Sequence, residues 1–157
     1  MATASAHTSL QDEHKLIHCL IELMKQEQQF LVAANTDGLQ TLTPHKTQLV
    51  EQLAQFAAQR HACLEQDGFA ASEAGMALWL ARMANPGASA GWQQLLEATR
   101  QAKELNRVNG MLINKQLTNN HTLINAMRAP ASTADTAFYG PSGQATAAPR
   151  KRGLVVG

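Results

Sequence analysis

Aromatic residues, cysteine and strand-like patterns are scarce in this sequence. Aromatic side chains make up 4% of the 157 residues, and there are only two cysteines, Cys19 and Cys63. Two cysteines do not form a disulfide framework, and each lies beside Leu or Ile, where a free thiol behaves as a small hydrophobe. No stretch alternates apolar and polar residues over the length of a strand, whereas Ala, Leu and Gln dominate. The composition therefore predicts an all-α protein.

The sequence also lacks a large excess of charge of one sign and any long apolar run. The formal net charge is +1, which argues against a nucleic-acid-binding surface. No apolar run approaches the ~20 residues that a membrane span needs, so we expect no membrane insertion. The first fourteen residues, MATASAHTSLQDEH, contain neither a basic start nor an apolar core, so no signal peptide is expected and the predicted location is cytoplasmic.

The spacing of apolar residues predicts an antiparallel helical bundle with three long helices and one short helix. Ser9 and Thr43 are expected to cap the first and second helices, with Pro44 in the first turn of the second. Ser72 is expected to cap the third. The predicted ranges are Ser9–Asn35, Thr43–Asp67, Ser72–Met83 and Ser89–Met127. We predict a flexible arm at residues 1–8, a helical domain at 9–129, and a disordered tail at 130–157 that begins at Pro130.

The segment Arg100–Arg128 carries more apolar surface than one core requires. A second apolar stripe, Ile113, Leu117 and Ile124, follows Gly110, and an interior glycine weakens a helix by about 1 kcal/mol relative to Ala. Burial of a Leu or Ile side chain on a partner contributes roughly 1.5–3 kcal/mol. We therefore predict that this segment becomes fully ordered on a partner protein.

Each of these features also has a purely structural interpretation. Asn106 and Asn109 could form a polar layer that fixes helix register. The stripe of Ile113, Leu117 and Ile124 could be core, or the seam of a homodimer in a self-associating adaptor bundle. A lone tail tyrosine, Tyr139, could be idle.

Catalytic patterns are weak. His14 and His18 are four residues apart on one helix face, a spacing that can hold a metal, but no further Cys or His completes four ligands. None of the six histidines follows a Glu by three residues, as a di-iron bundle requires. The sequence predicts neither an enzyme nor a metal or other cofactor.

Three runs carry a resemblance to a known family. The first is Leu20-Ile21-x-Leu23-Met24 with Glu27, Leu31, Asp37-Gly38-Leu39, Leu42, Lys46, Leu49-Val50 and Leu53. The second is Asn106-x-x-Asn109-Gly110-x-Leu112-Ile113, and the third is Tyr139-Gly140-Pro141-Ser142-Gly143-Gln144. With these runs, the chain resembles the FlgN family of flagellar type III export chaperones from about Leu10 to Gln144.

This resemblance implies a cytosolic chaperone without enzymatic activity. Such a protein would bind the C-terminal helical segments of hook-filament junction proteins, prevent their premature assembly and present them to the export apparatus. The resemblance implies that Tyr139 contacts the cytoplasmic domain of the export gate. The implied substrate-binding residues are Leu105, Asn106, Asn109, Gly110, Leu112, Ile113, Leu117 and Ile124.

Overall fold

Four helices make up the described part of the protein. The computed structural model describes the backbone of residues 6–138 and the side chains of residues 9–128. The helices are α1 (Ala6–Val32), α2 (Thr36–Gln66), α3 (Glu73–Met83) and α4 (Pro86–Phe138), and no strand occurs within these residues. The all-α prediction, with three long helices and one short helix, is confirmed.

The link between α1 and α2 lies earlier in the chain than the sequence patterns suggest. Asn35, and not Thr43, caps α2, and its Oδ1 accepts a hydrogen bond of 2.9 Å from the backbone N–H of Gly38. Pro44 consequently lies inside the helix. A Cβ atom on Gly38 would lie 2.7 Å from the Phe30 ring. Asp37 and Gly38 therefore lie in the first turn of α2, where the absence of a side chain on Gly38 lets the Phe30 ring approach.

The start of α1 also differs from the prediction. Ser9 lies within α1 and does not cap it, and its hydroxyl donates a 2.8 Å hydrogen bond to the backbone carbonyl of Phe56 in α2. One turn later, Glu13 is paired with Arg60 of α2. Near the other end of the hairpin, Glu27 is paired with Lys46. Early residues of α1 thus meet late residues of α2, which confirms that these two helices are antiparallel.

The short helix α3 begins as its sequence predicts. Ser72 is the N-cap, and its Oγ accepts a 3.0 Å hydrogen bond from the backbone N–H of Gly75. Gly75 is buried, and a Cβ atom there would lie 1.8 Å from the carbonyl oxygen of Ala70. Trp79 is buried and donates from its indole nitrogen to Asp67 at 2.7 Å. These contacts fix α3 against the end of α2.

The hydrophobic core draws on all four helices. Its residues are almost completely buried, so the core supplies most of the free energy that favours folding. They are Leu10, Ile17, Leu20, Ile21, Met24, Leu64, Met76, Trp79, Leu80, Ala88, Trp92, Leu95, Ala98 and Ala102.

The chain divides into two compact units, residues 1–112 and residues 113–157. In the second unit, α4 is helical to Phe138, so Pro130 does not end the helix as the sequence suggests. A proline removes its own N–H from the helix, but alanines at 129, 131, 134 and 137 surround this one, and Ala is the strongest helix former. The remainder of the predicted tail, from residue 139, lies outside the described residues. Across residues 6–138, no helix combines the length and apolar character that a membrane crossing would require.

Candidate functional site

A polar cluster joins α4 to the α1–α2 hairpin within the first unit. It consists of Glu27, Lys46, Asn106 and Asn109. The Asn109 amide nitrogen donates to the backbone carbonyl of Met24 at 2.9 Å and to the Glu27 carboxylate at 2.7 Å. Lys46 Nζ lies 2.9 Å from the same carboxylate and 3.0 Å from Asn106 Oδ1. The Glu27 carboxylate of α1 thus accepts hydrogen bonds from Lys46 of α2 and Asn109 of α4.

Asn109 is the most deeply buried member of this cluster, with 1% of its surface exposed. Its Oδ1 atom is buried and has no hydrogen-bond partner. Its side chain is committed to contacts inside the bundle, which agrees with the polar-layer interpretation of the Asn106 and Asn109 pair. Asn106, in contrast, is exposed.

Apolar side chains in the second unit remain accessible to solvent. Ile113, Leu117 and Ile124 are 41%, 53% and 46% exposed. Spacings of four and seven residues place these three side chains on one face of a regular helix. Leu123 and Met127, which the sequence interpretation did not include, are 60% and 73% exposed. We call these five residues the exposed apolar segment. Met127 could have been predicted as a member from the sequence, because it lies three residues after Ile124 and so on the same side of the helix.

The other predicted substrate-binding residues belong to the first unit. Leu105 is half-buried and packs against the hydrophobic core, and Leu112 is also half-buried. A Cβ atom on Gly110 would meet no atom within 4 Å. The structure therefore shows space, and no close contact, at this glycine. Tyr139 lies outside the described residues.

An exposed ion pair lies on α4 beside the polar cluster. Arg107 donates to the Glu104 carboxylate at 2.6 Å and 2.9 Å. These hydrogen bonds to Arg107 lower the pKa of the Glu104 carboxyl, and the same bonds raise the pKa of the Arg107 guanidinium. Because both side chains are exposed to solvent, this ion pair contributes little to the stability of the fold.

Among residues with described side chains, no group of three or more His, Cys, Asp or Glu is placed to hold a metal ion. The distinctive surface is the exposed apolar segment, and contiguous exposed apolar residues generally mark sites of contact with other molecules.

The fold and this surface define an all-helical protein with an apolar helical segment open to solvent. The sequence matches the family model described as FlgN protein over residues 1–147, and the chain belongs to the FlgN family. This is a family of flagellar export chaperones that bind flagellar proteins, and it is not a family of enzymes. No curated protein and no solved structure shows significant similarity to the chain.

Proposed function

We propose that this protein is a cytosolic export chaperone for hook-filament junction proteins. In this proposal, α4 binds the C-terminal helical segments of those proteins, which prevents their premature assembly. The chaperone then presents them to the type III export apparatus. Family membership supports the general role, and the exposed apolar segment supports the mode of binding.

The observation that carries the proposal is the exposure of five large apolar side chains in the second unit, which ranges from 41% to 73%. Complete burial of such a side chain contributes roughly 1.5–3 kcal/mol. Since about half of each side chain is still exposed, a partner helix would gain about 1 kcal/mol from each. Five such contacts contribute about 5 kcal/mol in total, which corresponds to a dissociation constant of about 0.2 mM before the entropic cost of association is subtracted. The segment alone therefore provides a weak helix-in-groove contact, and tight binding requires further contacts with the substrate.

The substrate surface in this proposal also includes residues from the first unit. Leu105, Asn106 and Leu112 are partly or fully exposed, and they can contact a partner directly. Asn109 and Gly110 act differently: Asn109 holds α4 to the hairpin through Met24 and Glu27, and Gly110 leaves open space beside the helix. We propose Tyr139 as the contact with the cytoplasmic domain of the export gate.

The test introduces two negative charges into the exposed apolar segment. Leu117→Asp combined with Ile124→Asp is expected to abolish binding of a C-terminal fragment of a junction protein in calorimetric titration. An unpaired carboxylate in a buried interface costs several kcal/mol. The thermal unfolding midpoint of the free protein should change little, because both side chains are already about half exposed.

Asn125→Asp is the matched control, because Asn125 is exposed, lies next to Ile124, and is polar before the change. Its affinity for the fragment should stay close to that of the wild type. Equal losses of thermal stability and affinity in the double variant would show that the segment has a folding role. Unchanged affinity, together with a concentration-dependent dimer that the double variant abolishes, would identify a homodimer seam and favour the self-associating adaptor.

A further inference from the structure

Two histidine side chains converge on the surface of α1, away from the polar cluster and within the first unit. The Nε2 atoms of His14 and His18 are 3.3 Å apart, a hydrogen-bond contact in which one ring N–H donates to the other nitrogen and which a metal ion would replace. Their ring centroids are 4.5 Å apart, and the ring planes are inclined by 76°. His14 is half-buried and His18 is exposed, so the space in front of the two nitrogens is accessible to solutes.

This separation matches the geometry of a shared metal ion. Zn²⁺ binds imidazole nitrogen at about 2.0–2.1 Å with tetrahedral angles. Two such nitrogens on one ion are therefore about 3.3–3.4 Å apart. The pair already has the required spacing, and the i, i+4 relationship on a helix holds it there. Little conformational entropy would be lost when an ion binds.

The surroundings of the pair are polar and open. His14 and His18 line a groove together with Gln94, Glu97 and Gln101 of α4. The Glu97 carboxylate lies 2.9 Å from Arg100, so it is held by that guanidinium. The chain thus supplies two ligands, and water would occupy the other coordination positions.

We propose that His14 and His18 form a two-ligand site for a divalent transition-metal ion of the class that prefers imidazole, with Zn²⁺ as its representative. Mg²⁺ and Ca²⁺ are excluded by their preference for oxygen ligands. A bound ion connects successive turns of α1 and stabilises the folded state, since the unfolded chain does not hold the two imidazoles together.

The experiment is calorimetric titration of the full chain with ZnCl₂, repeated with MgCl₂. One Zn²⁺ per chain is expected, with no binding of Mg²⁺. His14→Ala and His18→Ala should each weaken Zn²⁺ binding roughly 10-fold or more, because each leaves one ligand where two acted together. His45→Ala is the matched control, since His45 is an exposed helical histidine on α2, and its affinity should equal that of the wild type.

A second measurement keeps the interpretation independent of folding defects. ZnCl₂ should raise the thermal unfolding midpoint of the wild type and of His45→Ala equally, and should raise that of His18→Ala clearly less at the same concentration. Absence of Zn²⁺ binding at millimolar concentration overturns the proposal. So does an affinity that neither histidine substitution lowers, or binding that is lost in Cys19→Ser, since Cys19 is an exposed thiol beside His18.

Discussion

Removal of one partner from the buried ion pair of Glu13 and Arg60 should destabilise the protein strongly. Arg60 donates to Glu13 through Nε at 2.8 Å and through Nη2 at 3.1 Å. The two side chains are 8% and 5% exposed, respectively. The guanidinium carbon of Arg60 also lies 4.9 Å from the centre of the Trp92 ring. This one side chain therefore joins α1, α2 and α4.

Glu13→Ala leaves the Arg60 guanidinium buried without a counter-charge. Loss of one member of a buried pair typically costs about 3–5 kcal/mol, whereas replacement of both members by apolar residues of similar volume is often nearly neutral. We therefore expect a loss of about 3–5 kcal/mol in the free energy of unfolding for Glu13→Ala. Most of it should be recovered in the double variant Glu13→Leu, Arg60→Met.

Urea denaturation followed by circular dichroism measures these differences. Glu104→Ala is the control, because it breaks a comparable carboxylate–arginine pair whose side chains are 60% and 59% exposed. Its denaturation midpoint should be close to that of the wild type. Equal destabilisation by Glu13→Ala and Glu104→Ala would refute the reasoning, as would a double variant less stable than Glu13→Ala alone.

Three further predictions concern single positions. Gly75→Ala should prevent α3 from docking and lower stability by several kcal/mol, because its Cβ would lie 1.8 Å from the Ala70 carbonyl oxygen. Thermal unfolding should show no comparable loss for the control Gly91→Ala, whose Cβ would make an ordinary 3.6 Å contact. Gly110→Ala should raise helicity and stabilise the free protein by about 1 kcal/mol. We expect no proportional gain in substrate affinity, because the added methyl would fill the open space at this position, where we propose that the substrate backbone approaches; a proportional gain would contradict that approach. Tyr139→Ala should leave helicity and substrate affinity unchanged and should reduce binding to the gate domain and secretion; unchanged secretion would exclude the proposed gate contact.

Local sequence patterns were sufficient for the helical content and for the exposed apolar stripe, but not for the start of α1, the link between α1 and α2 or the end of α4. Apolar residues repeat at helical spacing and no segment alternates, so the helical content followed from periodicity alone. The Ser72 cap was predictable because its acceptor and the N–H of Gly75 are three residues apart. The excess apolar surface around Ile113, Leu117 and Ile124 was also visible, since these side chains find no cover within the described structure.

The tertiary structure decided which polar residues are buried and which glycines are essential. Glu13 looks like an ordinary first-turn acid, yet its partner Arg60 is 47 residues away. The sequence left open whether Asn109 belongs to a polar layer or to a binding surface, and its partner Glu27 is 82 residues away. Gly75 has no distinctive local pattern, and its requirement comes from the Ala70 carbonyl that packs against it. Helix signals act over one or two turns, whereas burial depends on which distant segments fold against a residue.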